Sequence, residues 1–110
     1  MNIRICGTGS ALPERKITND DLSQIMDTSD EWISSRTGIK TRHLATEETT
    51  TSLATEAAKK ALADADMKPE EVELIIAATV TPDHLVPTLS CEVQREIGAV
   101  NAVAFDLGAA

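Results

Sequence analysis

Aromatic side chains are nearly absent from this chain of 110 residues: they make up 2% of it, as one Trp, one Phe and no Tyr. Any core must therefore be built from Ala, Val, Ile and Leu, which makes the single Trp32 conspicuous. Positive charge is also short, with ten Lys and Arg against 18 Asp and Glu for a net charge of -8. Phosphate backbones are bound by neutralising them with Lys and Arg, so this balance argues against a nucleic-acid partner and against an anionic membrane surface. No apolar run approaches the length of a membrane span, and the start MNIRICGTGS lacks the basic stretch and apolar run of a secretory signal. The cytosol is the expected compartment. Cysteine is scarce too: Cys6 and Cys91 are far apart, without metal-ligand spacing or a disulfide-rich pattern, and both are expected to be reduced and buried.

What is present is the composition of a folded soluble chain, 42% hydrophobic and 25% charged with no low-complexity run. The length suits one small domain or part of a larger one. Ile3 to Cys6, closed by Gly7-Thr8-Gly9-Ser10, reads as a short strand ending in a tight turn, and Pro13 marks a loop. Asn19 to Met26 has Leu22, Ile25 and Met26 at helical spacing. Thr28-Ser29-Asp30-Glu31 reads as a capping box for a second short helix through about Thr37, with Gly38 as its stop.

The clearest helix spans about Thr50 to Asp66, with Leu53, Ala54, Ala57, Ala58, Ala61, Leu62 and Ala65 on one side and Glu56, Lys59, Lys60 and Asp64 on the other. So many alanines imply unusually close packing. Pro69 opens a single turn. Glu73 to Val80 is apolar on both alternating sets, the pattern of a strand buried on both faces of a parallel sheet, and Ala102 to Asp106 is a second such strand. Between them a loop covers Thr81 to Val86 and a helix Pro87 to Ile97, ended by Gly98. Strands alternating with helices predict a layered α/β fold. The ending Leu107-Gly108-Ala109-Ala110, in small residues just past a buried strand, predicts a fragment or a cleaved chain.

Several patterns invite a chemical reading. Gly7-Thr8-Gly9 follows a strand, but the third glycine of a dinucleotide fingerprint would fall at Leu12, so a structural turn is expected. Trp32 and Arg36 are four apart and share a helix face, where two flat groups could stack on a planar base. Spacing alone leaves open the alternative of a Trp covering core with Arg folded across it. Arg36, Lys40, Arg42 and His43 form a local basic island that could receive a phosphorylated cofactor or an acidic carrier, or be an ordinary solvated loop. His43 and His84 have no metal-site pattern around them. Cys91, near a helix start, is expected to be a structural thiol rather than a nucleophile. Asp27, Asp30 and Glu31 suit capping and the positive end of a helix dipole.

Taken together, G-T-G-S-A-L-P-E near the start and D-T-S-D-E-W-I-S-S-R-T-G-I-K-T-R-H from Asp27 to His43 resemble the N-terminal signature of the β-ketoacyl-acyl-carrier-protein synthase III family. The later L-I-I-A-A-T, P-T-L-S-C-E-V-Q and A-F-D-L-G-A-A fit the same order, so the resemblance covers essentially residues 1–110. It implies a thiolase-like fold of two βαβαβ-type halves in five layers, this chain being the incomplete N-terminal part of such a domain. It implies an acyltransferase that moves an acetyl or other short acyl group from coenzyme A to a cysteine and condenses it with malonyl-acyl carrier protein. Coenzyme A would then be carried as the thioester substrate, with no cofactor, and the partners would be the remainder of the protein and a second copy in a homodimer. Trp32 and Arg36 match the residues that hold the adenine of coenzyme A, Thr28 a neighbouring contact, and Val86 a side chain reaching across the dimer. The family's nucleophilic cysteine follows the A-F-D-x-x-A-A motif, and its catalytic His and Asn lie further on. No catalytic residue is therefore expected within this chain. Alternatives with the same residues are a synthase III relative of secondary metabolism and a non-catalytic coenzyme A binding fragment.

Overall fold

The computed structural model describes residues 2–109. Their elements are β1 (Lys16–Thr18), α1 (Asn19–Ser23), α2 (Asp30–Thr37), β2 (Thr41–His43), α3 (Thr50–Ala65), a 3-10 turn at Pro69–Glu71, β3 (Leu74–Ala78), α4 (Leu89–Ile97) and β4 (Val103–Leu107). They fall into two units, Leu12–Glu48 and the chain on either side of it. Ala110, the last of the terminal small residues, lies outside the described residues.

In the Leu12–Glu48 unit, β1 and β2 pair antiparallel with Ile17 opposite Arg42. The β1 strand lies just past Pro13, where a loop was expected. Thr18 caps α1 in a reciprocal box: its hydroxyl accepts from the Asp21 amide at 3.1 Å while the Asp21 carboxylate accepts the Thr18 amide at 2.8 Å. The α1 helix stops at Ser23 rather than Met26. Ile25 and Met26 are 78% and 56% exposed, so no apolar burial sustains a further turn. The box expected at Thr28 does not form either. The α2 helix starts one residue later, capped by Ser29, whose hydroxyl accepts the Trp32 amide at 3.1 Å. Position N3 is then Trp32, which cannot reciprocate, whereas Glu31 stands too early. Gly38 closes α2 at φ 71°, a left-handed conformation that costs other residues about 1–2 kcal/mol.

In the other unit, β3 and β4 pair in parallel from Leu74 opposite Val103 to Ala78 opposite Leu107, with α4 as the crossover between them. The α4 helix lies on this pair and α3 packs on α4. Leu89 and Val93 of α4 and Ala99 just after it form the buried apolar centre. Only one face of the strand pair is covered. Ile75, Ala77, Ala104 and Asp106 are half-buried, while Leu74, Ile76, Val103, Phe105 and Leu107 are exposed. The expectation of burial on both faces is thus not met by the described residues: a two-stranded sheet with helices on one side leaves its second apolar face bare.

Two further expectations change here. Ile3 to Cys6 forms no ladder among the described residues, and Ile3, Ile5 and Cys6 are exposed. What holds this segment is close backbone contact with α3. A Cβ on Gly7 would come within 2.6 Å of the Ala61 carbonyl oxygen, and one on Gly9 would strike the Ala57 carbonyl and the Ala61 amide. The glycines therefore serve close approach, not a turn with positive φ, and the alanines of α3 are small for the same reason. The Asp64 carboxylate accepts the Thr8 amide at 2.9 Å and Lys60 donates to the Ser10 carbonyl at 3.1 Å, fastening the margins.

Cys91 is exposed rather than buried. At about 100° per residue, Leu89, Ser90, Glu92 and Val93 fill the buried arc of α4 and Cys91 falls opposite. The α4 helix also begins at Leu89, two residues after the expected Pro87. Its first amides are taken from a distance: Asp106 of β4 accepts from Leu89 at 2.9 Å and from Ser90 at 2.8 Å. Gly98 ends it at φ 80° as expected.

Candidate functional site

Trp32 and Arg36 do meet on one face of α2. The guanidinium of Arg36 lies 4.5 Å from the Trp32 ring centroid, a cation–π stack, and reaches the Trp32 carbonyl at 3.5 Å. The stack faces outward: Trp32 is 54% exposed, against the alternative of a Trp covering core. Ser29, Glu31, Trp32, Ser35 and Arg36 line a shallow cleft of about 250 Å³. Its chemistry is one flat aromatic face, one delocalised cation, two hydroxyls and one carboxylate, suited to a planar ring carrying a negative group on the Arg36 side. Thr28 is half-buried just before the cap and does not line this cleft.

The basic island around Arg36 is mostly consumed by structure. Lys40 pairs with Asp30 at 3.4 Å. Arg42 donates to the Ile17 carbonyl at 3.4 Å and to the side-chain oxygen of Asn19. The Nδ1 of His43 contacts the Pro13 carbonyl oxygen at 2.6 Å. Of the four, Arg36 alone lays its guanidinium over an aromatic ring.

Asn19 was not singled out by its sequence position, yet it is 1% exposed and central to this unit. Its Nδ2 donates to Asp30 Oδ1 at 2.7 Å and to the Ile39 carbonyl at 2.8 Å, with Ser34 Oγ at 3.3 Å. Ser34 donates to the same Asp30 oxygen at 2.8 Å. These donors, Asn19 first, then Ser34 and the Lys40 ammonium, hold the Asp30 carboxyl below its ordinary range. Elsewhere, Glu48 accepts amides from Thr46 and Glu14 and is lowered to about 2, and Asp83 accepts amides from Thr51 and Thr50 at the start of α3 and is lowered to about 2. Burial raises Asp106, but the Ser90 hydroxyl and the Ser90 and Leu89 amides outweigh it and keep the carboxyl low.

A second hollow, of about 400 Å³, is walled by Thr49, Thr51, Ser52, Thr55, Glu56 and Lys59 of the α3 region and by Glu96. Most of its hydroxyls are committed: Thr49 and Ser52 cap one another, and Thr51 donates to Glu92 at 2.9 Å. Thr55 is 8% exposed and its hydroxyl has no partner. Among the described residues no group of three or more His, Cys, Asp or Glu could hold a metal ion, and no helix is long and apolar enough to cross a membrane.

The fold agrees with that of the known proteins this chain resembles. The α/β fold is that of the thiolase-like condensing enzymes. The crystal structure of 3-oxoacyl-[acyl-carrier-protein] synthase III from Aquifex aeolicus superposes with a TM-score of 0.93 at 53% identity, over 96% of this chain and 34% of that one. The priming β-ketosynthase of the R1128 polyketide pathway gives 0.93 at 37% identity, over 96% of this chain and 32% of that one. Within that class the chain is a homologue of the β-ketoacyl-[acyl-carrier-protein] synthase III proteins. It is 54% identical to the one from Clostridium acetobutylicum over 109 residues, which is 99% of this chain and 34% of the relative. The chain thus spans about a third of the length of the curated relatives it matches. No family model matches it.

Proposed function

We propose that this chain is the coenzyme A gripping part of a β-ketoacyl-acyl-carrier-protein synthase III, its N-terminal portion. The whole protein would take a short acyl group, acetyl in the first instance, from coenzyme A and condense it with malonyl-acyl carrier protein, with loss of carbon dioxide, to start a fatty acid. Thr28, Trp32 and Arg36 would contact the coenzyme, whose thioester is substrate rather than resident cofactor. The chemistry belongs to residues outside this chain, and the working form would be a cytoplasmic homodimer.

The observation that carries this reading is the outward-facing stack of Arg36 on Trp32, in a chain homologous to synthase III proteins over nearly its full length. An adenine laid on Trp32 gains stacking energy, and a phosphate beside it meets the Arg36 guanidinium. Stacking of this kind is worth roughly 1–3 kcal/mol, so Trp32→Ala in the full-length protein should weaken coenzyme A binding about tenfold to a hundredfold. Isothermal titration calorimetry with coenzyme A measures this, and an unchanged affinity removes Trp32 from the site. The structural likeness to a polyketide priming ketosynthase supports a second reading, an acyltransferase of secondary metabolism. Turnover across a series of acyl-coenzyme A thioesters separates the two by the chain accepted.

A further inference from the structure

We propose that Asn19 is a positioning residue of the Trp32–Arg36 grip, setting through its carboxamide where α2 and its stack stand. This deepens the reading of the stack as a coenzyme A contact and rests on it. The argument begins with what α2 lacks. It contains no buried residue, and its apolar side chains are only Trp32, which faces outward, and the half-buried Ile33. Apolar burial, the usual force that fixes a helix against its neighbours, is therefore nearly missing here.

A polar hub stands in its place. Asn19, at the start of α1, donates to Asp30 in the first turn of α2 and to the Ile39 carbonyl just beyond the Gly38 cap. Ser34, one turn into the helix, joins the same Asp30 oxygen. On the other side the Asn19 oxygen accepts from Arg42 of β2. One buried side chain thus touches both ends of α2 and ties them to a strand. The orientation of the amide is forced, because Arg42 can only donate and the Asp30 carboxylate can only accept. The residue type is forced as well. An Asp would set a carboxylate against Asp30, a Leu would leave Asp30, Ile39 and Arg42 without their partner, and a Gln is one methylene too long for a site that is 1% exposed.

The test uses the full-length protein, coenzyme A in calorimetry and acetyl-coenzyme A in steady-state kinetics, with Asn19→Ala, Trp32→Ala and the double variant. Asn19→Ala should weaken coenzyme A binding roughly tenfold and raise KM for the thioester while leaving kcat nearly unchanged. Because Asn19 acts through the stack, its effect should largely vanish in the Trp32→Ala background, a non-additivity that a general loss of stability does not produce. Asp30→Ala removes the same link from a half-exposed position and carries the comparison if Asn19→Ala fails to fold. Weakened binding in Trp32→Ala with unchanged binding in Asn19→Ala, or full additivity in the double variant, overturns the positioning role alone. Unchanged binding in Trp32→Ala overturns the coenzyme A reading and this inference with it.

Discussion

The two units of the chain are held together by opposite means. The unit of α3, α4, β3 and β4 relies on small residues in close contact and on an apolar centre at Leu89, Val93 and Ala99. The Leu12–Glu48 unit has one buried apolar side chain, Ile17, and is organised around the fully covered amide of Asn19. Shape governs the first and hydrogen-bond satisfaction the second. The difference suits their surfaces: a helix released from apolar packing can turn its only aromatic ring outward, toward a ligand.

The comparison breaks most sharply at Gly9. A methyl group there meets backbone atoms of α3 that cannot swing aside, so Gly9→Ala should cost about 3 kcal/mol or more of stability. Chemical denaturation of the full-length protein measures it, and a loss below about 1 kcal/mol would show that α3 can shift to accommodate the methyl. A smaller effect of opposite sign is expected at Thr55, whose buried hydroxyl has no partner. Thr55→Val keeps the shape and removes that orphan, and should stabilise by about 1 kcal/mol in the same assay. A loss instead would mean the hydroxyl is satisfied in solution.

The smallest effect is the pH dependence that both units share, because the carboxylates concerned sit near solvent, where screening weakens them. Glu48 in one unit and Asp83 in the other are each lowered to about 2. A depressed carboxylate contributes stability that is complete above its unfolded value, about 4, and is lost as pH falls through the folded value. Stability should therefore decline between about pH 4.5 and pH 2. Denaturation midpoints across that range test this, and Glu48→Gln or Asp83→Asn should flatten the slope; equal slopes in the variants would assign the acid sensitivity to other groups.

Much of the outline is legible residue by residue. The length of α3, the turn at Pro69, the helix stops at Gly38 and Gly98 and the shared face of Trp32 and Arg36 all rest on interactions within four residues. Where expectation and structure part, the deciding contact is distant. The helix at Leu89 starts where Asp106 accepts its amides, not where Pro87 permits a first turn. Ile3 to Cys6 has the composition of a strand but forms no ladder among the described residues, and Gly7 and Gly9 look like a turn yet serve a helix about fifty residues on. Local pattern also overstates the basic island, since it cannot show that Asp30, Asn19 and the Pro13 carbonyl take up Lys40, Arg42 and His43.

The sequence by itself determined the alternation of helices and strands, the helix stops and the motif from Asp27 to His43 that leads to the synthase III proteins. Those are properties of neighbouring residues and of patterns along the chain. Only the tertiary structure decided that Trp32 stands open to solvent, that Arg36 lies over its ring, and that Asn19 bonds to Asp30 and to the Ile39 carbonyl at the two ends of the helix carrying them both. Burial and hydrogen-bond partnership depend on residues 11 to 23 positions apart meeting in space, and nothing in the local spacing specifies that meeting.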